Sequence, residues 1–426
     1  MATHHHSISA RSSDSPSSPR GFSLVELLVA SAIAMIVMAA VATLFGTFGN
    51  AASTSQSIVD MTNRLRTTTS RLRKDLAGVT APLRPPVGPD GNPGSLELIE
   101  GPLLDLTASA TASLLADVDD VLLFTTQSAG PPFQGRYLVS GIDRRIESST
   151  AEVAWFCRPS PAAAQTVAGL TLHTLYRRQL LVEGYVGVAP FHNPASADTN
   201  QIAGTMPELL TSYDMSLRPV GGGVFVPNTL GDLTQRQHRF LHGAWNVAFS
   251  GTVPGAAFDA ASGREGEDVV LTNVLAFDVR VFDPGITIRT GTDAAQAILY
   301  PGDPGYATGT NSSTKGAFVD LGRQGGGTPL STAVVVKPQQ SDLAYTYDTW
   351  SAAYETNGID EDADGIVDDA TNGADNNGDG LPDDPGETET APPYATPLTA
   401  IEVRIRCYDP VSRQVRQTTV RQAFPN

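Results

Sequence analysis

Between Leu27 and Phe48 the chain runs for 22 residues without a charged side chain, and one carboxylate, Glu26, stands directly before the run. As a helix rising about 1.5 Å per residue it would be roughly 33 Å long, close to the ~30 Å hydrocarbon thickness of a bilayer. Lipid or other apolar helices must cover such a stretch, so the fold divides at once into a helix that leaves water and whatever follows it. The run is too long for the apolar part of a secretory signal, about 7–15 residues, and cleavage after Ala32 or Ala40 would cut inside it. A carboxylate in hydrocarbon is costly unless it finds a partner, which makes Glu26 a functional candidate; at the surface it would instead suit the positive end of the helix dipole. Residues 1–21 are polar, rich in Ser and Pro, carry Arg11 and Arg20, and cannot form a core.

The order of residues across this junction is specific: Arg20, Gly21, Phe22, Ser23-Leu24-Val25-Glu26, then the apolar run. RGFSLVELLVASAIAMIV resembles the prepilin-type cleavage and methylation motif of type IV pilins and type II secretion pseudopilins. The resemblance implies that prepilin peptidase cuts between Gly21 and Phe22 and methylates the new amine, removing a leader of residues 1–21 and leaving 405 residues. It also implies that Glu26 neutralises the Phe22 amine of a neighbouring subunit. The partners would be the peptidase, other pilin or pseudopilin subunits and an inner-membrane assembly platform.

Past the membrane part (24–48), the segment 50–77 is amphipathic. Ile58, Leu65, Leu72 and Val79 recur every seven residues, with Met61 and Leu76 on the same side and Arg64, Arg66, Arg71, Arg73 and Lys74 flanking them. One helix from about Ser23 to Ala77 is expected, ended by Gly78 and Pro82 and loosened at Gly46 and Gly49, each of which weakens a helix by roughly 1 kcal/mol against Ala. The N-terminal helical region is thus residues 22–80, and a β-rich domain of 81–426 follows.

In that domain the strand-like runs are 120–126, 136–148, 152–157 with 172–182 as a hairpin, 269–283, and 398–409 paired with 414–424. Alternation in Val403-Arg404-Ile405-Arg406 and Val279-Arg280-Val281 predicts antiparallel sheet with one face wet. Helix first and strands after gives an α+β fold, a long N-terminal membrane-spanning helix packed on an antiparallel sheet. The hairpin ending in LYRRQLLV and the pair NVLAFDVRVFDP and AIEVRIRCYDP are similar to W-type minor pilins and J-type pseudopilins. The stretches 184–268 and 286–397, rich in Gly, Pro, Asn and Thr, look like insertions.

The net charge is −17, and the 11 Asp and Glu of residues 360–387 account for most of it, with no Lys or Arg among them. Nucleic-acid binding, which needs a basic surface, is disfavoured. The segment holds a repeat with a 15-residue offset. Asp360, Asp362, Asp364, the carbonyl of Ile366 and Asp368 recur as Asp375, Asn377, Asp379, the carbonyl of Leu381 and Asp383, with Gly365 and Gly380 at the sharp turn. Oxygen donors at positions 1, 3, 5, 7 and 9 with Gly at 6 are what a calcium loop requires. The Glu of an EF-hand is absent, Thr371 and Gly386 standing there, so the loops of 360–384 resemble those of extracellular calcium modules. Two weak calcium sites are expected, with Kd about 10⁻⁴–10⁻³ M.

Cys157 and Cys407 each end a strand-like run; they could form a disulfide in an oxidising compartment or stay as separate buried thiols. His238 and His242 lack a third ligand, the Gly-Gly-Gly turns lack a following phosphate-binding signature, and no G-x-S-x-G occurs. The expectation is a non-enzymatic minor pilin or pseudopilin, single-pass in a bacterial inner membrane with its bulk outside the cytoplasm. The alternative is a calcium-dependent adhesive module on a pilin-like stalk.

Overall fold

The structure is a computed structural model describing residues 21–83, 93–101, 117–139, 142–160, 166–167, 170–184, 186, 201–204, 209, 212–235, 238–240, 267–292, 297–301, 303, 305–321, 345–349, 358, 365–368, 371–376, 378, 380–383 and 397–424. The chain divides into two compact units, Met1–Ser57 and Ile58–Asn426. Helix α1, Leu24–Ala77, is 54 residues long and continues through Gly46 and Gly49 without a break. The expected loosening at these glycines is not seen; two helix-weakening residues do not outweigh long flanking runs of Ala, Leu, Met and Val. Within the first unit the large apolar side chains from Phe22 to Phe48 are exposed, and the segment is long and apolar enough to cross a membrane once.

In the second unit the heptad stripe becomes core. Met61, Leu65, Leu72 and Leu76 are buried against sheet residues, joined by Thr68, Thr69 and Asp75. The helix stops at Gly78, whose carbonyl accepts the Gln127 N–H at 2.7 Å while Val79 bridges to Thr126. A Cβ at Gly78 would run into the Gln127 carbonyl, so only glycine lets the chain turn this close to the sheet.

The main sheet has ten strands: β1 Leu96–Glu100, β2 Val121–Gln127, β3 Thr150–Pro159, β4 His173–Leu181, β5 Val269–Thr290, β6 Ile298–Leu299, β7 Thr310–Val319, β8 Tyr345–Asp348, β9 Ala400–Asp409 and β10 Gln414–Ala423. All pairs are antiparallel in the order β8-β1-β2-β3-β4-β5-β9-β10, with β6 and β7 on the last part of β5. The hairpin β3–β4 keeps register from Ala151 opposite Leu181 to Pro159 opposite His173, and β9–β10 from Ala400 opposite Ala423 to Asp409 opposite Gln414. Along one edge, the 22-residue β5 pairs first with β4 over Val269–Val274 and later with β7 over Val281–Thr290. Its other edge carries β9 over Val274–Val281.

Three expectations need correction. The run 136–148 falls in two strands, Phe133–Val139 and Ile142–Ser148, paired antiparallel with Val139 opposite Ile142. The stretch 286–397 is not simply an insertion, because it supplies the end of β5 and all of β6, β7 and β8. The expected wet face is seen on β9, where Arg404 and Arg406 are half-buried between buried Val403 and Ile405, but Arg280 of β5 is buried, and over β1–β4 both faces are covered. Leu96, Leu98, Leu122, Phe124, Val153 and Trp155 share a core with α1, while Ile99, Val121, Leu123, Ala154, Phe156 and Tyr176 form a second core with Tyr213, Met215, Leu217, Phe225 and Phe240. The described residues of 184–268 thus supply an apolar second layer, part of it the three-stranded sheet of Leu217–Gly221, Val224–Pro227 and Ile202–Ala203.

Candidate functional site

Gly21, Phe22 and Ser23 precede the first helical turn. Phe22 is 86% exposed, and no atom of the described residues lies within 4 Å of where a Gly21 Cβ would stand. Helical structure begins at Leu24. Ser23 and Glu26 close a reciprocal cap: the Ser23 N–H and hydroxyl donate to Glu26 Oε2 at 2.9 and 3.0 Å, and the Glu26 N–H donates to Ser23 Oγ at 3.2 Å. This S-x-x-E capping box satisfies two otherwise orphaned helix-terminal donors and fixes where the carboxylate sits. The sequence reading gave Glu26 a membrane and assembly role but overlooked the cap, whose signal is the three-residue spacing.

Residues 17–42 match the family model of the prokaryotic N-terminal methylation motif. No curated protein and no solved structure matches the chain. The prepilin-type motif and the apolar helix it opens support a type IV pilin-like or pseudopilin role, and point to a structural subunit that is processed by prepilin peptidase and assembles with other pilins.

Of the ten calcium-loop ligands, Ile366, Asp368, Asp375, Leu381 and Asp383 are described; Asp360, Asp362, Asp364, Asn377 and Asp379 lie outside the described residues. The two copies match in φ at three corresponding positions. φ is +96° at Gly365 and +91° at Gly380, +53° at Asp368 and +54° at Asp383, +76° at Gly358 and +81° at Gly373. In the first copy the Gly358 N–H donates to both Asp368 oxygens at 3.0 and 3.1 Å, and in the second the Gly373 N–H donates to Asp383 Oδ1 at 2.7 Å. Asp375 accepts the N–H groups of Gly378 and Gly380 at 2.7 and 2.8 Å.

Cys157 and Cys407 are free and buried. They lie on β3 and β9 with β4 and β5 between them. At about 4.8 Å per strand that is roughly 14 Å, beyond the ~4.4–6.8 Å Cα separation of a disulfide. Burial pushes both thiols up, Cys407 to about 11. His238 rests its Nδ1 3.1 Å from the Asp232 carbonyl oxygen, and His242 lies outside the described residues.

One group of acids went unread. Glu100, Asp117 and Asp120 are all buried and place carboxylate oxygens within 4.8 Å of one another, an arrangement that could hold a metal ion. The available signal was Asp117-Val118-Asp119-Asp120, an acidic run set directly against the apolar β2. Their mutual approach comes from strand topology, which local sequence does not reveal.

Proposed function

We propose that this protein is a minor pilin or pseudopilin, a structural assembly subunit of a type IV pilus or a type II secretion pseudopilus. The observation that carries the reading is the methylation motif at residues 17–42 joined to an exposed apolar helix whose first turn is preceded by the Gly21–Phe22 bond. Prepilin peptidase removes residues 1–21 and methylates Phe22. The helix anchors the chain in the inner membrane with Ile58–Asn426 outside the cytoplasm, and Glu26 meets the Phe22 amine of a neighbouring subunit. A mature length of 405 residues favours a minor position, because a bulky domain is hard to repeat along a packed filament.

N-terminal sequencing of protein from cells with and without the peptidase tests processing: the expected start is N-methyl-Phe22, and any other start defeats the reading. Glu26→Gln tests assembly. Since Ser23 bonds to the carboxylate, glutamine keeps a capping acceptor and removes only the charge. Helix content should persist while incorporation into filaments is lost; normal incorporation would refute the charge-pairing role.

The matching φ values at three positions of the two acidic loops favour a second property, two weak calcium sites that order residues 360–384 and serve a surface adhesive module. Asp368→Asn with Asp383→Asn should remove the millimolar-calcium response of the loops. If adhesion disappears in that variant while filaments persist, the adhesive reading gains; unchanged adhesion counts against it.

A further inference from the structure

Along one edge of β5, β4 leaves at Val274 and β7 joins at Val281. Residues 117–120 fill the interval between them. The Phe277 N–H donates to the Asp117 carbonyl at 2.8 Å and the Val279 N–H to Asp120 Oδ2 at 2.6 Å. From the end of β1, Glu100 Oε2 accepts the Leu321 N–H at 3.1 Å, and Asp120 Oδ1 accepts the Gly101 N–H at 3.4 Å. Four chain segments thus converge on three carboxylates: the end of β1, the lead-in to β2, the middle of β5 and Leu321, two residues past the end of β7.

The three differ from the buried acids nearest them. The neighbouring Asp278 and Asp320 have Arg280, whose Nε lies 3.5 and 2.8 Å from them. Among the described residues, no cation pairs with Glu100, Asp117 or Asp120. Glu100 is 1% exposed and Asp117 2%, yet Glu100 Oε1 and Asp117 Oδ2 meet no hydrogen-bond donor there. Burial and the surrounding carboxylates push all three acids well above the ordinary range. Several buried negative charges facing one another are unfavourable unless a cation or protons neutralise them.

We propose that Glu100, Asp117 and Asp120 form a structural calcium site that fastens the curled sheet where β5 exchanges β4 for β7. The donors are all oxygens, the ligand set of a hard cation and not of zinc or copper. Oxygens within 4.8 Å of one another can share one ion at the ~2.3–2.6 Å of calcium coordination. This site is separate from the twin acidic loops and does not depend on them.

The test uses the full-length chain in detergent, equilibrated with calcium and then passed through calcium-free buffer, with metal content measured by mass spectrometry. Wild type should keep about one calcium per chain, as should Asp368→Asn/Asp383→Asn, since ions held only at ~10⁻⁴–10⁻³ M wash away. Glu100→Gln and Asp117→Asn should keep none. Chelator should lower the melting temperature of wild type but not of these two variants, which in chelator should melt no lower than wild type because their neutral amides relieve the repulsion. Wild type without retained calcium and without a chelator response would overturn the proposal and leave a proton shared between Glu100 and Asp117. Full retention by Glu100→Gln and Asp117→Asn would overturn it as well. Should neither variant fold, retained metal and the chelator response of wild type decide.

Discussion

Asp75 is the charged residue on which the docking of the amphipathic half of α1 most depends. Its Oδ2 accepts Arg177 Nε at 2.6 Å and Trp155 Nε1 at 3.0 Å, and its Oδ1 accepts the second guanidinium nitrogen at 2.8 Å. Both members of the ion pair are about 3% exposed. Asp75→Ala would remove three charge-assisted bonds and leave the Arg177 guanidinium buried without its counter-ion, a change that costs about 3–5 kcal/mol. A cavity of about 520 Å³ lined by Arg71, Lys74, Arg177 and Gln179 opens beside the pair. Water entering it would partly solvate the abandoned guanidinium, placing the cost at the lower end. With an unfolding entropy of roughly 2.1 cal/mol/K per residue over Ile58–Asn426, the melting temperature should fall by about 4 °C. The assay is a thermal melt followed by tryptophan fluorescence on the detergent-solubilised chain, for Asp75→Ala, Arg177→Met and the double variant Asp75→Leu/Arg177→Met. The double variant should recover most of the loss, because replacing both partners by apolar groups removes the stranded charge. Additive losses in the double variant would refute the reasoning, showing that the two side chains act independently.

Two further outcomes follow from single residues. Glu152, with Oε2 accepting the Ser216 hydroxyl at 2.6 Å and Oε1 the Phe240 N–H at 2.7 Å, is raised by burial to about 7. The folded state therefore holds its proton more tightly than the unfolded state, and this residue's contribution to stability falls as pH rises from about 4.5 to 7 and is level outside that window. In melts across pH, Glu152→Gln should match wild type near pH 4 and exceed it by up to roughly 3 kcal/mol above pH 7; an advantage that does not change with pH would exclude the titration. Gly78→Ala forces a methyl group against the Gln127 carbonyl and Thr126 Oγ1. Denaturant titration should show a loss of about 1–3 kcal/mol, the usual range for overpacking, and a neutral result would mean that the helix end is free to move away from β2.

What the sequence made legible was what short-range pattern encodes. The apolar stripe of Leu65, Leu72 and Leu76 identified the buried helix face because helical period alone decides which residues share a side. The β3–β4 and β9–β10 hairpins were readable because each pairs neighbouring runs. The methylation motif at residues 17–42 was readable because it is one short continuous run of residues. The strands β7 and β8 were not, since Thr310–Val319 and Tyr345–Asp348 contain Gly, Asn, Ser and Asp and owe their conformation to β5 and β1 across long sequence separations. Asp75 was missed for a related reason: an acid on a helix face reads as solvated until Arg177 and Trp155, about a hundred positions away, are brought against it.

The same limitation explains why the acidic balance was assigned to one loop. Carboxylates are also concentrated in the interior, where arginines serve more than one of them. Arg239 reaches Glu97 at 3.2 Å and Asp348 at 2.7 Å, joining β1 to β8, and Arg178 reaches Asp214 at 3.3 Å and Asp268 at 3.0 Å, tying β4 to flanking segments. Buried pairs of this kind add little net stability against apolar replacements, but a partner that is missing or misplaced is severely penalised. They therefore act against wrong strand pairings: if β8 slipped by one residue along β1, Asp348 would turn to the opposite face and leave Arg239 short of a counter-charge. By the same reasoning, three buried acids with no arginine paired to them among the described residues need another source of neutralisation. Their position at the change of partners along β5 is where a neutralising ion would be needed to hold the sheet in register.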